Sequence, residues 1–134
     1  MIDIENIVFN MIATELRTQF PGINVYSRLT FSPSAFPCVC IEEADNLAYR
    51  DTQDSGSLEN HAEVMYEINV FSNLQSGAKQ QCRQIFAAID DIMASHGFSR
   101  YAKVPVLEAG PIQYRLTGRY RGVVSSNNVI YSRR

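Results

Sequence analysis

Cysteine and histidine are scarce in this chain, and long apolar runs are missing. There are three cysteines and two histidines in 134 residues. Cys38 and Cys40 stand two apart and Cys82 is remote, and nothing near them in sequence supplies the third and fourth ligands that a zinc site needs. The three thiols therefore read as small buried apolar groups. His61 and His96 keep no spacing with a serine or cysteine that would pair a nucleophile with its base. No apolar run approaches the roughly 20 residues of a membrane span, so no membrane partner is expected. The opening Met1-Ile2-Asp3-Ile4-Glu5 carries acids where a signal peptide carries bases, and synthesis in the cytosol is the expectation. The glycines form no phosphate loop, dinucleotide fingerprint or hydrolase elbow; Gly110, Gly118 and Gly122 are too far apart to cradle a phosphate.

What is present is the composition of one globular domain spanning residues 1–134: 46% hydrophobic and 19% charged. A chain this long buries roughly two-thirds of its unfolded surface, enough for a core. The net charge of −2 is unevenly spread. Residues 1–96 hold 13 acids against five bases, whereas residues 97–134 hold seven bases against Glu108 alone. If that division survives in space, one surface would attract the opposite surface of another copy.

Ile4, Ile7, Val8, Met11, Ile12, Glu15 and Leu16 keep the spacing of an amphipathic helix over about 3–19, with Asp3 as N-cap and Pro21-Gly22 as its end. The alternation from Ile23 to Leu29 predicts a strand, Phe36-Pro37 a turn, and Cys38-Val39-Cys40-Ile41 a strand covered on both faces. A long polar loop is expected at about 46–60; it holds Asp51 and Asp54, and loops of that length are often functional. From His61 a strand puts Val64, Tyr66, Ile68 and Val70 on one face, with Glu63, Met65, Glu67, Asn69 and Phe71 on the other. A second helix follows over about 77–96, with Ala78, Cys82, Ile85, Phe86, Ile89, Ile92 and His96 along one side and Gly97 as C-cap glycine. Residues 98–106 predict a strand broken by Pro105, which points to an edge or a strand end, and 112–124 a last long strand. Asn127-Asn128 and Val129-Ile130-Tyr131 are expected to turn that strand back. The expected fold is α+β: a mostly antiparallel mixed sheet with two helices packed on one face, in the order α-β-β-β-α-β-β.

Little here can carry catalysis. Asp90 and Asp91 are adjacent on a helix and point about 100° apart, so they do not converge on one proton or metal. No enzyme activity and no cofactor are expected. The last strand is more informative. Arg115, Thr117, Arg119 and Arg121 share one parity, opposite Tyr114, Leu116, Gly118, Tyr120 and Gly122. An arginine row of this kind suits carboxylate or phosphate. Three uses are open to it: pairing with Glu63 and Glu67 of the same chain, meeting acids of an adjacent subunit, or facing nucleic-acid phosphates. The acidic pI of 5.6 speaks against the last.

Tyr66-Glu67-Ile68-Asn69-Val70-Phe71-Ser72-Asn73 leads into Ile89-Asp90-Asp91-Ile92-Met93 and then Gly97-Phe98-Ser99-Arg100. Tyr114 to Val124, reading YRLTGRYRGVV, completes the succession. It resembles the tail terminator (tail-completion) proteins of long-tailed bacteriophages and their prophage relatives, over roughly residues 61–124. The resemblance implies a mixed sheet flanked by helices and a structural virion protein without enzymatic activity. It implies a ring of copies, usually six, that ends the tail tube and joins it to the head connector. Expected partners are thus copies of itself, the tail tube protein and the head–tail connector or adaptor proteins, with DNA only passing through the lumen. Arg115, Arg119 and Arg121, or the loop around Asp51 and Asp54, are the expected subunit or tube contacts. A head-closure protein of the same neck region, or a small nucleic-acid-binding domain, are the alternatives.

Overall fold

A computed structural model describes residues 3–28, 35–48, 61–106 and 112–125. The elements are α1 (Glu5–Gln19), β1 (Asn24–Tyr26), β2 (Cys38–Ala48), β3 (His61–Ser72), α2 (Ala78–Ser95), β4 (Ser99–Pro105) and β5 (Tyr114–Ser125). This is the expected α+β order. Residues 127–131 and most of the 46–60 loop lie outside the described residues, although β2 runs three residues into that span.

The five strands lie side by side in the order β1-β2-β3-β5-β4. All neighbours are antiparallel except β1 and β2, which run parallel. This one parallel pair makes the sheet mixed while it stays mostly antiparallel, as expected. The last strand, β5, inserts between β3 and β4, and so β4 becomes the edge that Pro105 announces.

The core lies between the sheet and the helices. α1 turns in Ile4, Val8, Ile12 and Leu16, and α2 turns in Cys82, Ile85, Phe86, Ile89 and Met93. They meet Val39 and Ile41 of β2, the even-numbered residues of β3 from Ala62 to Val70, and Leu116, Tyr120 and Val124 of β5. Two expectations about the helix faces need correction. Ile7 is 46% exposed, because the buried stripe of α1 follows the i, i+4 line through Ile4 and Val8. His96 is exposed as well, standing one residue past the last turn of α2. Asp3 supports α1 from one residue further out than expected: its Oδ1 accepts the Glu5 N–H at 3.1 Å, while Ile4 occupies the cap position. Gly97 closes α2 with φ 91°, as its place in the sequence suggests.

Gly118 and Gly122 face the helices, where an absent side chain is a packing requirement. The Phe86 ring lies on the backbone of Gly118, and a Phe98 ring carbon stands 2.8 Å from where a Cβ on Gly122 would be. Around these rings Phe86 stacks on Tyr120 at 6.3 Å, and Tyr66 meets Phe98 edge-on at 5.8 Å.

Candidate functional site

Among the described residues no helix meets the opposite face of the sheet, and the residues of that face follow from strand parity. β2 presents Cys38, Cys40 and Glu42; β3 presents Glu63, Met65, Glu67, Asn69 and Phe71; β5 presents Arg115, Thr117, Arg119 and Arg121. β4 adds Tyr101 and Val104, exposed to 46% and 51%. A bulge between Arg100 and Ala102 turns Tyr101 to this side, and its hydroxyl reaches Met65 Sδ at 3.7 Å.

At one end this face is apolar. Cys38, Cys40, Phe71 and Ile112 form a small second core, with Tyr26 and Phe36 against it. The two sulfurs are 3.9 Å apart and fully buried. The sulfur–sulfur contact and burial hold Cys38 well above the ordinary thiol range, and burial alone pushes Cys82 up to about 12. All three thiols lie buried in the interior, as the composition suggests.

Next comes a buried polar knot. Asn69 is 2% exposed, and its Oδ1 accepts Arg115 Nε at 2.9 Å and Thr117 Oγ1 at 2.6 Å. The guanidinium of Arg115 lies over the Phe71 ring, 5.1 Å from its centre. This corrects the sequence expectation that Arg115 belongs to an outward row. It is only 9% exposed, because the residue opposite it is Phe71, whose ring draws the guanidinium flat against the sheet.

Further along, the arginines do reach solvent, and carboxylates of the same chain meet them. Arg119 approaches Glu67 at 3.7 Å directly across the strand pair, and Arg121 reaches Glu63 diagonally at 3.8 Å. Of the three uses open to the row, the single chain displays intrachain pairing for Arg119 and Arg121. Both arginine side chains remain about half exposed, so each pair contributes little, about 0.2–1 kcal/mol. Beside them Glu67, Tyr101, Val104, Arg115, Thr117 and Arg119 border a groove of about 320 Å³ between β5 and β4. Asp51 and Asp54 lie outside the described residues.

The division of charge in the sequence survives in the sheet. β2 and β3 carry Glu42, Glu43, Asp45, Glu63 and Glu67 and neither lysine nor arginine; β5 and β4 carry Arg115, Arg119, Arg121, Arg100 and Lys103 and no acid. Since β5 lies between β3 and β4, the sheet has an acidic half and a basic half, joined at the β3–β5 seam by the two ion pairs.

Two buried tyrosines tie the helix side of the sheet to rim carboxylates, an arrangement with no signal in the sequence. Tyr120 donates to Asp90 Oδ1 at 3.1 Å, and Arg100 approaches the same oxygen at 3.5 Å. Tyr66 donates to Glu43 Oε1 at 3.3 Å. Burial, followed by the nearby carboxylate, holds both phenols above their ordinary range. Glu43 is itself raised, first by desolvation and then by the charges of Glu5 and Asp3, against the lowering effect of bonds from Asn46 and Tyr66. Asp90 is thus engaged while Asp91 is exposed, and the pair does not converge. Among the described residues no group of three or more His, Cys, Asp or Glu is placed to hold a metal.

Comparison with protein-family models and with curated proteins finds no match for this chain.

Proposed function

We propose that this chain is a structural subunit that assembles with copies of itself into a ring at the head-proximal end of a long-tailed phage tail, ending the tube and joining it to the head connector. The observation that carries the reading is the split sheet: five acids and neither lysine nor arginine on β2 and β3, five lysines and arginines and no acid on β5 and β4. A ring is built from heterologous contacts, in which one patch meets a different patch on the next copy. Opposite charges at the two sides of one sheet favour that contact and penalise like-to-like docking. The resemblance of residues 61–124 to tail terminators supplies the place of the ring; the split sheet supports the habit of assembly.

The open face also bears on the rival reading as a nucleic-acid binder. Arg119 and Arg121 already face Glu67 and Glu63, and phosphates would have to displace carboxylates 3.7 and 3.8 Å away. A tube lumen that DNA merely traverses is better served by such paired charges than by a bare basic surface.

Native mass spectrometry of the protein, alone and with its tail tube protein, tests the proposal. A closed homo-oligomer that binds the tube end is the expected result. A monomer under both conditions overturns it, and so does DNA binding that falls steeply with rising salt in place of self-association.

A further inference from the structure

Both sides of the sheet expose a strand edge among the described residues. β1 covers β2 only at Cys38, Val39 and Cys40, so β2 continues uncovered from Ile41 to Ala48. At the other side β4, Ser99–Pro105, pairs only with β5. Their lengths agree: seven residues of β4 extend about 23 Å, and the eight uncovered positions of β2 about 26 Å, at about 3.3 Å per residue. Their directions agree as well. β2 and β5 run one way and β3 and β4 the other, so a neighbouring copy in the same orientation would present β4 antiparallel to β2.

Charge makes the two edges complementary on the helix side. There Glu43 stands at the uncovered edge of β2, with Glu5 and Asp3 of the α1 start close enough to raise its pKa. On the same side of β4 stand Arg100 and Lys103; Arg100 pairs with Asp90, and the Lys103 ammonium lies 5.3 Å from the centre of the Phe86 ring. The bulge at Arg100–Ala102, the lysine and the closing proline are devices that discourage indiscriminate pairing of an edge strand. An acidic partner strand of matching length satisfies what they reject elsewhere.

We propose that β4 of one copy pairs antiparallel with the uncovered half of β2, Ile41–Ala48, of the next, so that the sheet continues from subunit to subunit. Centring the two strands on each other sets Lys103 near Glu43 and Ala102 near Ala44. The proposal rests on the ring reading above and specifies its contact.

A short bis-maleimide applied to a chain carrying both Ala44→Cys and Ala102→Cys tests the pairing, because the three native thiols are buried. A ladder of covalent oligomers is expected, and a covalent heterodimer when the two single variants are mixed. Lys103→Glu alone and Glu43→Lys alone should each weaken self-association at least about tenfold, because like charges then meet at every contact. Mixing these two variants should restore it, since the contacts formed in the mixture are again opposite in sign. Circular dichroism verifies that each variant is folded, and the cross-linking arm stands without the charge variants. Oligomers seen by native mass spectrometry with neither cross-linking nor rescue would overturn the strand pairing and leave the ring reading standing. No oligomer by any of these measurements would overturn both.

Discussion

The two faces of this sheet are made from the same strands, yet they use side chains in opposite ways. The helix-facing side is closed: Val64, Tyr66, Ile68, Leu116 and Tyr120 are buried, and Gly118 and Gly122 give up their side chains so that Phe86 and Phe98 lie on the backbone. The open side mixes a small apolar cluster, a buried polar knot and a solvent-exposed ion-pair seam. The contrast shows where a change costs stability and where it changes association. Packing density rules the first face; charge placement rules the second.

The sharpest way to break the contrast is at Phe86. Truncation by Phe86→Ala removes the ring that fills the space over Gly118 and is expected to cost about 3–5 kcal/mol in urea unfolding. A loss below 1 kcal/mol would mean that the helix face is not the tightly packed one. On the open face, Asn69→Ala removes the shared acceptor of Arg115 and Thr117, and a buried site makes that loss about 1–3 kcal/mol. Tyr120→Phe deletes one hydrogen bond to Asp90 and should cost about 0.5–1.5 kcal/mol, measured the same way. Smallest of these is the exposed seam: Arg119→Ala should change unfolding by no more than about 1 kcal/mol, and less at high salt.

Glu43 gives the comparison a pH arm. Its carboxyl is held above the usual range, so the folded state binds that proton more tightly than the unfolded chain does. The group's contribution to stability is therefore greatest at low pH and falls as pH rises from the unfolded pKa through the raised folded one. Glu43→Gln should remove this component, raising the melting midpoint at neutral pH while flattening its dependence as pH rises above the ordinary carboxylate range. Unchanged pH dependence in the variant would show that neither burial nor the charges of Glu5 and Asp3 favour the neutral form of Glu43.

Much of the fold was legible because it is written as periodicity. The alternation in 61–71 placed Val64, Tyr66, Ile68 and Val70 on the buried side, and the apolar run at Cys38–Ile41 marked a strand covered on both faces; burial bears both out. Pro105 marked an edge or a strand end, and β4 is an edge strand that ends at Pro105. The candidate site was legible only in part. Parity put Arg115, Arg119 and Arg121 on one face but not their depth, since Arg115 sinks against a Phe71 that lies far from it in sequence. The reach of β2 to Ala48 was hidden because Asn46 opens the polar stretch that reads as loop, although it continues the strand.

By itself the sequence determined the elements, the parity of β3 and β5 and the unequal charge of its two portions, because all three depend on the order of neighbouring residues. The tertiary structure alone decided that β5 enters between β3 and β4, that β1 runs parallel to β2, and that two tyrosines reach rim carboxylates. These outcomes rest on contacts between residues tens of positions apart, chosen by which faces can be buried together. The same choice gathered acids on one side of the sheet and bases on the other, turning a division along the chain into a division in space.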